Sequence, residues 1–64
     1  MEVYKKILDY IAKKRIHLEA LAKETGIAER HLRSMLTGNM QIDIVNYYII
    51  CKALKVPLNK FMEE

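Results

Sequence analysis

The sequence predicts an all-α fold of five short helices in one domain that spans residues 1–64. Apolar residues recur at helical spacing, and no stretch alternates apolar and polar residues as a half-buried strand does. The segment Ala22-Lys23-Glu24-Thr25-Gly26-Ile27 fits a tight corner between two helices. Ala22 allows the helices to approach closely, and Gly26 can adopt the positive φ that ends a helix. With 52% hydrophobic residues, the chain can form a dense helical core.

The first two helices are predicted over about residues 2–14 and 17–25. The first ends in the basic run Lys13-Lys14-Arg15, which suits the negative end of a helix dipole. The second ends at Gly26, the corner residue. The residues of this second helix expected in the core are Leu18, Leu21 and Ala22.

The other three helices are separated by residues that favour turns and caps. The third is predicted over about residues 28–37, because Gly38 and Asn39 tolerate the left-handed backbone that ends a helix. Asp43 is a good N-cap for the fourth helix, and Pro57 suits the start of a fifth. The fourth is expected to end near Leu54 and the fifth at Phe61 or Met62. The expected core residues are Leu32, Met35 and Leu36 in the third helix and Ile44, Tyr47, Ile50, Cys51 and Leu54 in the fourth.

The spacing of these residues resembles the DNA-binding domain of phage repressors and Cro proteins, the lambda-repressor-like family. The resemblance covers about residues 3–62 and implies a five-helix domain in which residues 17–37 form a helix-turn-helix. The residues that carry it are Leu21, Ala22, Gly26, Ile27, Leu32, Met35, Gly38, Ile44, Tyr47, Ile50, Cys51, Ala53, Leu54, Val56, Leu58, Phe61 and Met62.

The resemblance implies a sequence-specific regulator of transcription, and a repressor in particular. It would bind duplex DNA as a homodimer, with a recognition helix over residues 28–37 in the major groove. Arginine can donate two hydrogen bonds to guanine, and glutamate can accept one from cytosine. Which arginine reaches a base stays open, and a solvated polar helix face is the alternative for the whole run. The residues implied to face bases are Glu29, Arg30, Arg33 and Ser34.

Contacts to the DNA backbone are implied for helix ends and the loop after the recognition helix. His17 stands where the family places a capping Ser or Thr, so we expect it to cap the second helix or contact phosphate. Lys23 is a candidate for a secondary contact, with a plain solvated lysine as the alternative. The loop residues in this set are Thr37, Asn39 and Gln41.

The chain departs from the family pattern at several positions. Leu18 replaces a Gln that caps the second helix, and Ala28 replaces the Ser or Thr that caps the recognition helix, at a cost of about 1 kcal/mol. Ile11 and Leu36 occupy the positions of an Arg–Glu ion pair, so both partners are apolar here. We expect these two side chains to be buried in contact with each other. Ile42 replaces a proline.

Positive charge is concentrated in the predicted helix-turn-helix half. Residues 1–38 contain eight Lys and Arg against five Asp and Glu, whereas residues 39–64 contain three of each, for a net charge of +3. This asymmetry is expected if the first half faces phosphates. A surface that is merely solvated is the alternative.

The fourth helix carries more apolar residues than its core stripe needs. The surplus residues, Val45, Tyr48 and Ile49, lie on an adjoining face and suggest a homodimer interface. A wide core is the alternative explanation.

The composition argues against catalysis and against a metal or cofactor. His17, His31 and Cys51 lack the spacing of metal ligands, and Cys51 is expected to be a buried small hydrophobe. No apolar run could span a membrane and the first residues do not resemble a secretion signal, so a cytoplasmic protein is expected. Two rival functions share the fold: an antitoxin with a toxin as protein partner, and a protein-interaction module that no longer binds DNA.

Overall fold

The computed structural model describes residues 2–62, which form an all-α bundle as predicted. Within that range there are four α-helices and no strand: α1 (Val3–Lys13), α2 (Leu18–Thr25), α3 (Glu29–Leu36) and α4 (Ile44–Leu54). Helix α2 packs against α3 and α4, and α1 packs against α3. The bundle measures 28 × 23 × 21 Å. No helix in the described part of the chain is both long and apolar enough to cross a membrane.

The five-helix count is not confirmed, because residues 57–62 form turns. The Lys60 N–H donates to the Pro57 carbonyl at 3.0 Å, and the Met62 N–H donates to the Asn59 carbonyl at 3.2 Å. Bonds over three residues describe tight turns, and a segment this short cannot offset the cost of nucleating an α-helix. Phe61 nevertheless anchors the segment, since its buried ring lies 5.6 Å from that of Tyr10 in an edge-to-face arrangement.

Two helices end in left-handed residues that are not glycine. Arg15 has a φ of 57° after α1, and Lys55 has a φ of 60° after α4. In each case the next residue donates its N–H across the helix end: Ile16 to Ile11 at 2.8 Å and Val56 to Cys51 at 3.1 Å. Ile16 and Val56 also pack against the core. This apolar contact is the usual companion of such a helix end, and it stabilises the unfavourable φ.

The core is built from α1, α3 and α4, together with the buried Leu21 of α2 and Phe61 of the C-terminal turns. Ile11 is 4% exposed and Leu36 is 1% exposed, so the expected burial of both is confirmed. The expectation for Ile44 is wrong, because this residue is 67% exposed. Ile44 lies in the first turn of α4, directly after the N-cap Asp43, where it forms part of the rim of an open hollow. The buried residues are Ile7, Ile11, Leu21, Leu32, Met35, Leu36, Tyr47, Ile50, Cys51 and Phe61.

Candidate nucleic-acid interface

The corner between α2 and α3 forms as the sequence predicts. Gly26 has a φ of 77° and donates its N–H to the Ala22 carbonyl at 2.9 Å. Thr25, to which the sequence assigned no role, closes the corner from within. Its hydroxyl donates to the Leu21 carbonyl at 2.9 Å and accepts the Ile27 N–H at 3.1 Å. These bonds fix the direction in which α3 leaves the corner.

Helix α3 has one buried side and one polar side. Leu32, Met35 and Leu36 are buried in the core. The four residues predicted to face bases all lie off that buried side: Arg30 and Arg33 are exposed, while Glu29 and Ser34 are half-buried. The structure therefore brings the predicted set together on one short helix. Their contact with bases stays a prediction.

An ion pair joins two residues of this polar side. The Arg33 Nη2 lies 2.7 Å from the Glu29 Oε2, and both side chains remain substantially exposed. This ion pair is not among the contacts predicted from the sequence. A glutamate four residues before an arginine on a helix is the signal that could have found it.

The N-termini of α2 and α3 carry no side-chain caps. His17 occupies the N-cap position of α2 with an extended backbone, but its side chain makes no capping hydrogen bond. The capping alternative for His17 is therefore wrong, and a phosphate contact stays a prediction. Ala28 occupies the N-cap position of α3 and has no side-chain oxygen to offer. By contrast, Asp43 caps α4 as predicted, accepting the Asn46 N–H at 2.7 Å.

The loop after α3 is held by hydrogen bonds to the end of the helix. The Thr37 hydroxyl donates to the Arg33 carbonyl at 2.8 Å, and the Met40 N–H donates to the Ser34 carbonyl at 3.0 Å. Gly38 adopts a φ of 85° between these two anchors. Four of the side chains predicted to contact phosphate are exposed: Lys23 on α2, and Thr37, Asn39 and Gln41 after α3.

An exposed apolar surface runs along α4. Val45 is 62% exposed and Tyr48 is 48% exposed, so neither belongs to a wide core. Ile49 is half-buried, and the exposed Ile44 extends the surface toward the start of the helix. We call Ile44, Val45 and Tyr48 the α4 patch. The role of Val45, Tyr48 and Ile49 in a dimer interface stays a prediction.

An open hollow of about 520 Å³ adjoins the α4 patch at Ile44. Three methionines line it: Met35 at its floor, and the exposed Met40 and Met62. Methionine side chains adapt to differently shaped apolar partners. No local sequence pattern predicts this hollow, because its residues come from α1, α3, α4, the loop between α3 and α4, and the C-terminal turns.

Two titratable side chains, Tyr47 and Cys51, are buried in the core. The Tyr47 hydroxyl donates to the Leu58 carbonyl, which attaches the C-terminal turns to α4. Burial raises the pKa of Tyr47 above its ordinary value, and burial likewise raises the pKa of the Cys51 thiol. Both side chains are thus protonated near neutral pH, and the thiol is a poor nucleophile. Cys51 is a core residue, as expected.

No cluster of three or more potential metal ligands occurs within residues 2–62. The polar groups of the candidate interface are guanidinium, carboxylate, hydroxyl and amide groups along the exposed side of α3 and in the loop after it. Such groups donate and accept hydrogen bonds with base edges and phosphates.

Comparison with known proteins identifies the domain type. A model of the Cro/C1-type HTH DNA-binding domain matches residues 6–63, which includes α2, α3, α4 and most of α1. No curated protein and no solved structure is significantly similar to the chain.

Proposed function

The chain belongs to the Cro/C1-type helix-turn-helix DNA-binding family, and we propose that it is a sequence-specific regulator of transcription, acting as a repressor. In this proposal α3 enters the major groove of duplex DNA and α2 lies across the backbone. The single observation that carries the proposal is the polar side of α3, directly after the Gly26 corner. This side of the helix carries the exposed Arg30 and Arg33, and the opposite side is buried in the core.

We propose that Arg30, Arg33, Glu29 and Ser34 contact base edges or the adjacent backbone. The supporting evidence is their position on one helix, off its buried side. Arginine donors match the acceptor pattern of guanine, and a serine hydroxyl can serve several bases. Those of these contacts that reach base edges provide sequence preference.

Affinity would come largely from the DNA backbone. The N-termini of α2 and α3 have no side-chain caps, so their backbone N–H groups are available to donate to phosphate oxygens. His17 lies at the start of α2 and Lys23 lies within it. Thr37, Asn39 and Gln41 follow α3. Phosphate contacts from both places would fix the position of α3 along the DNA.

We propose further that the protein binds DNA as a homodimer through the α4 patch. Ile44, Val45 and Tyr48 are spaced so that they share one side of the helix, and all three are exposed. The Lys52 ammonium lies 5.8 Å above the Tyr48 ring and keeps a charge at the edge of the patch. A two-fold pair of such domains would place two recognition helices about one DNA turn apart.

A second candidate function is protein binding, either as an antitoxin or as an interaction module without DNA binding. The observation that favours it is the continuity of the α4 patch with the methionine-lined hollow. An apolar partner segment could cover both.

The test is selection of bound sequences from a random duplex pool, followed by titration of the enriched duplex and a scrambled one by fluorescence anisotropy. We expect the enriched duplex to bind at least 10³-fold more tightly, which is the low end for specific recognition. Arg30→Gln should weaken binding, whereas Lys60→Gln, which removes the same charge far along the chain, should not. If no duplex binds even at low salt, the DNA proposal is wrong and the protein-binding candidate is favoured.

A further inference from the structure

The two arginines of α3 are not equivalent. The Arg33 guanidinium is held by Glu29, with 2.7 Å between Nη2 and Oε2. Arg30, about one turn earlier, is exposed and forms no ion pair with any described residue. The guanidinium of Arg33 is therefore held in place and its charge is neutralised by Glu29, whereas the charge of Arg30 is not neutralised by an ion pair.

We propose that Glu29 is a positioning residue that makes Arg33 the guanine reader, and that Arg30 is a phosphate contact. The inference rests on the proposed DNA-binding function and assigns different roles to residues that the sequence could not distinguish.

The first argument is geometric. Bidentate recognition of guanine requires the planar guanidinium to be aimed at two acceptors at once. A free arginine loses considerable rotamer entropy when it is fixed in this way, whereas one already held on its own helix loses less. The Glu29 carboxylate engages one hydrogen of Arg33 Nη2. The other hydrogen of Nη2, together with Nη1 and Nε, remains available to donate.

The second argument is electrostatic. Phosphate binding by a cation is driven by release of condensed counterions, so it needs net charge. The Glu29 carboxylate and the Arg33 guanidinium together have a net charge of zero, so this pair adds no net attraction to phosphate. Arg30 has no such compensation. Salt-dependent affinity should therefore come from Arg30, and sequence preference from Arg33.

The test compares two charge-conserving substitutions on the same helix, Arg33→Lys and Arg30→Lys, together with Glu29→Gln. Lysine keeps the positive charge but loses the planar fork, so it separates base readout from phosphate attraction. Each variant is titrated with the enriched duplex, with duplexes that carry one substituted base pair, and with a scrambled duplex. Circular dichroism melting checks that each variant is folded, which is expected because these side chains are exposed.

For Arg33→Lys we expect a loss of about tenfold or more in discrimination at one G·C pair, with binding to the scrambled duplex nearly unchanged. Arg30→Lys should keep that discrimination. Glu29→Gln should bind the scrambled duplex more tightly and discriminate less at the same G·C pair as Arg33→Lys.

Three outcomes would overturn the proposal. If Arg30→Lys loses discrimination and Arg33→Lys keeps it, the roles are reversed. If Glu29→Gln leaves discrimination intact while Arg33→Lys abolishes it, Glu29 does not position Arg33. In both cases the wild type still prefers its enriched duplex, so the proposed function stands. If the wild type itself binds no duplex, the proposed function and this inference both fail.

Discussion

The ring of Tyr4, near the start of α1, lies against Gly38, the second residue after α3. A Cβ at Gly38 would lie 2.8 Å from both Cζ and Oη of Tyr4. Gly38 also has a φ of 85°, which other residues rarely adopt. The loop that follows α3, and that carries the proposed phosphate contacts, is therefore fitted closely to α1.

This fit predicts that two glycine substitutions have different consequences. Gly26→Ala places a Cβ in open space and should cost only the backbone strain of positive φ, about 1–2 kcal/mol of unfolding free energy. Gly38→Ala adds the displacement of the Tyr4 ring and should cost more. Urea denaturation of both variants measures the difference.

The matched control is Tyr4→Ala combined with Gly38→Ala. Without the ring in the way, Gly38→Ala should cost about as much as Gly26→Ala. Equal costs for the two glycines in the wild-type background would show that the Tyr4 ring moves aside freely.

The paired apolar residues Ile11 and Leu36 lead to a second prediction. Leu36 is 1% exposed, so Leu36→Glu buries a charge without a partner and should destabilise the domain by roughly 3–5 kcal/mol. Adding Ile11→Arg restores the ion pair implied by the family resemblance and should recover part of the loss. Thermal denaturation of the single and double variants tests this. No recovery in the double variant would mean that the two side chains do not meet.

A third prediction concerns alkaline pH. Burial raises the pKa of Cys51 above its ordinary value of 9.0 and that of Tyr47 above 10.0. Both groups keep their protons longer in the folded chain than in the unfolded one. Their contribution to stability is thus complete below pH 9 and is lost as the pH rises, since ionisation favours the unfolded state.

Melting temperatures measured from pH 8 to 11 should therefore fall, beginning near pH 9. Cys51→Ala should flatten the first part of the decline, and Tyr47→Phe the later part, whatever their effects at neutral pH. A variant that carries both substitutions should show little of this decline; an unchanged decline would mean that other groups cause it.

The parts of this fold that the sequence predicts are those that the conformational preference of a single residue determines. Gly26 ends α2 in the left-handed region and Asp43 caps α4, both as the sequence predicts. The burial of Ile11 and Leu36 was also predictable, because an apolar residue at each position of a family ion pair keeps the site uncharged.

The remaining features depend on packing that no local pattern records. Arg15 and Lys55 adopt a positive φ because the apolar residue after each packs on the core. Ile44 has the spacing of the apolar stripe of α4, but its side chain is exposed because no other helix covers it. The Glu29–Arg33 pair has a visible i,i+4 spacing, but only the rotamers show that the contact forms.

A fourth prediction tests the proposed homodimer. Val45→Lys with Tyr48→Glu places charge in the α4 patch and should abolish self-association while leaving the fold intact, because both residues are exposed. Leu8→Glu, at an exposed apolar residue of α1, is the matched control and should not change association. Sedimentation equilibrium measures all three proteins. A wild type that remains monomeric at high concentration would show that the α4 patch does not form a homodimer interface.

If the basic helix-turn-helix half binds DNA, the affinity of the wild type for DNA must depend strongly on salt. A dimer that makes about 6–10 phosphate contacts should lose on the order of 10³- to 10⁵-fold in affinity for its enriched duplex between 50 and 200 mM salt. Fluorescence anisotropy titrations at four salt concentrations give the slope. We predict that the logarithm of the association constant falls linearly with the logarithm of the salt concentration. An affinity that does not change over this range would show that the basic half does not bind DNA through its phosphates.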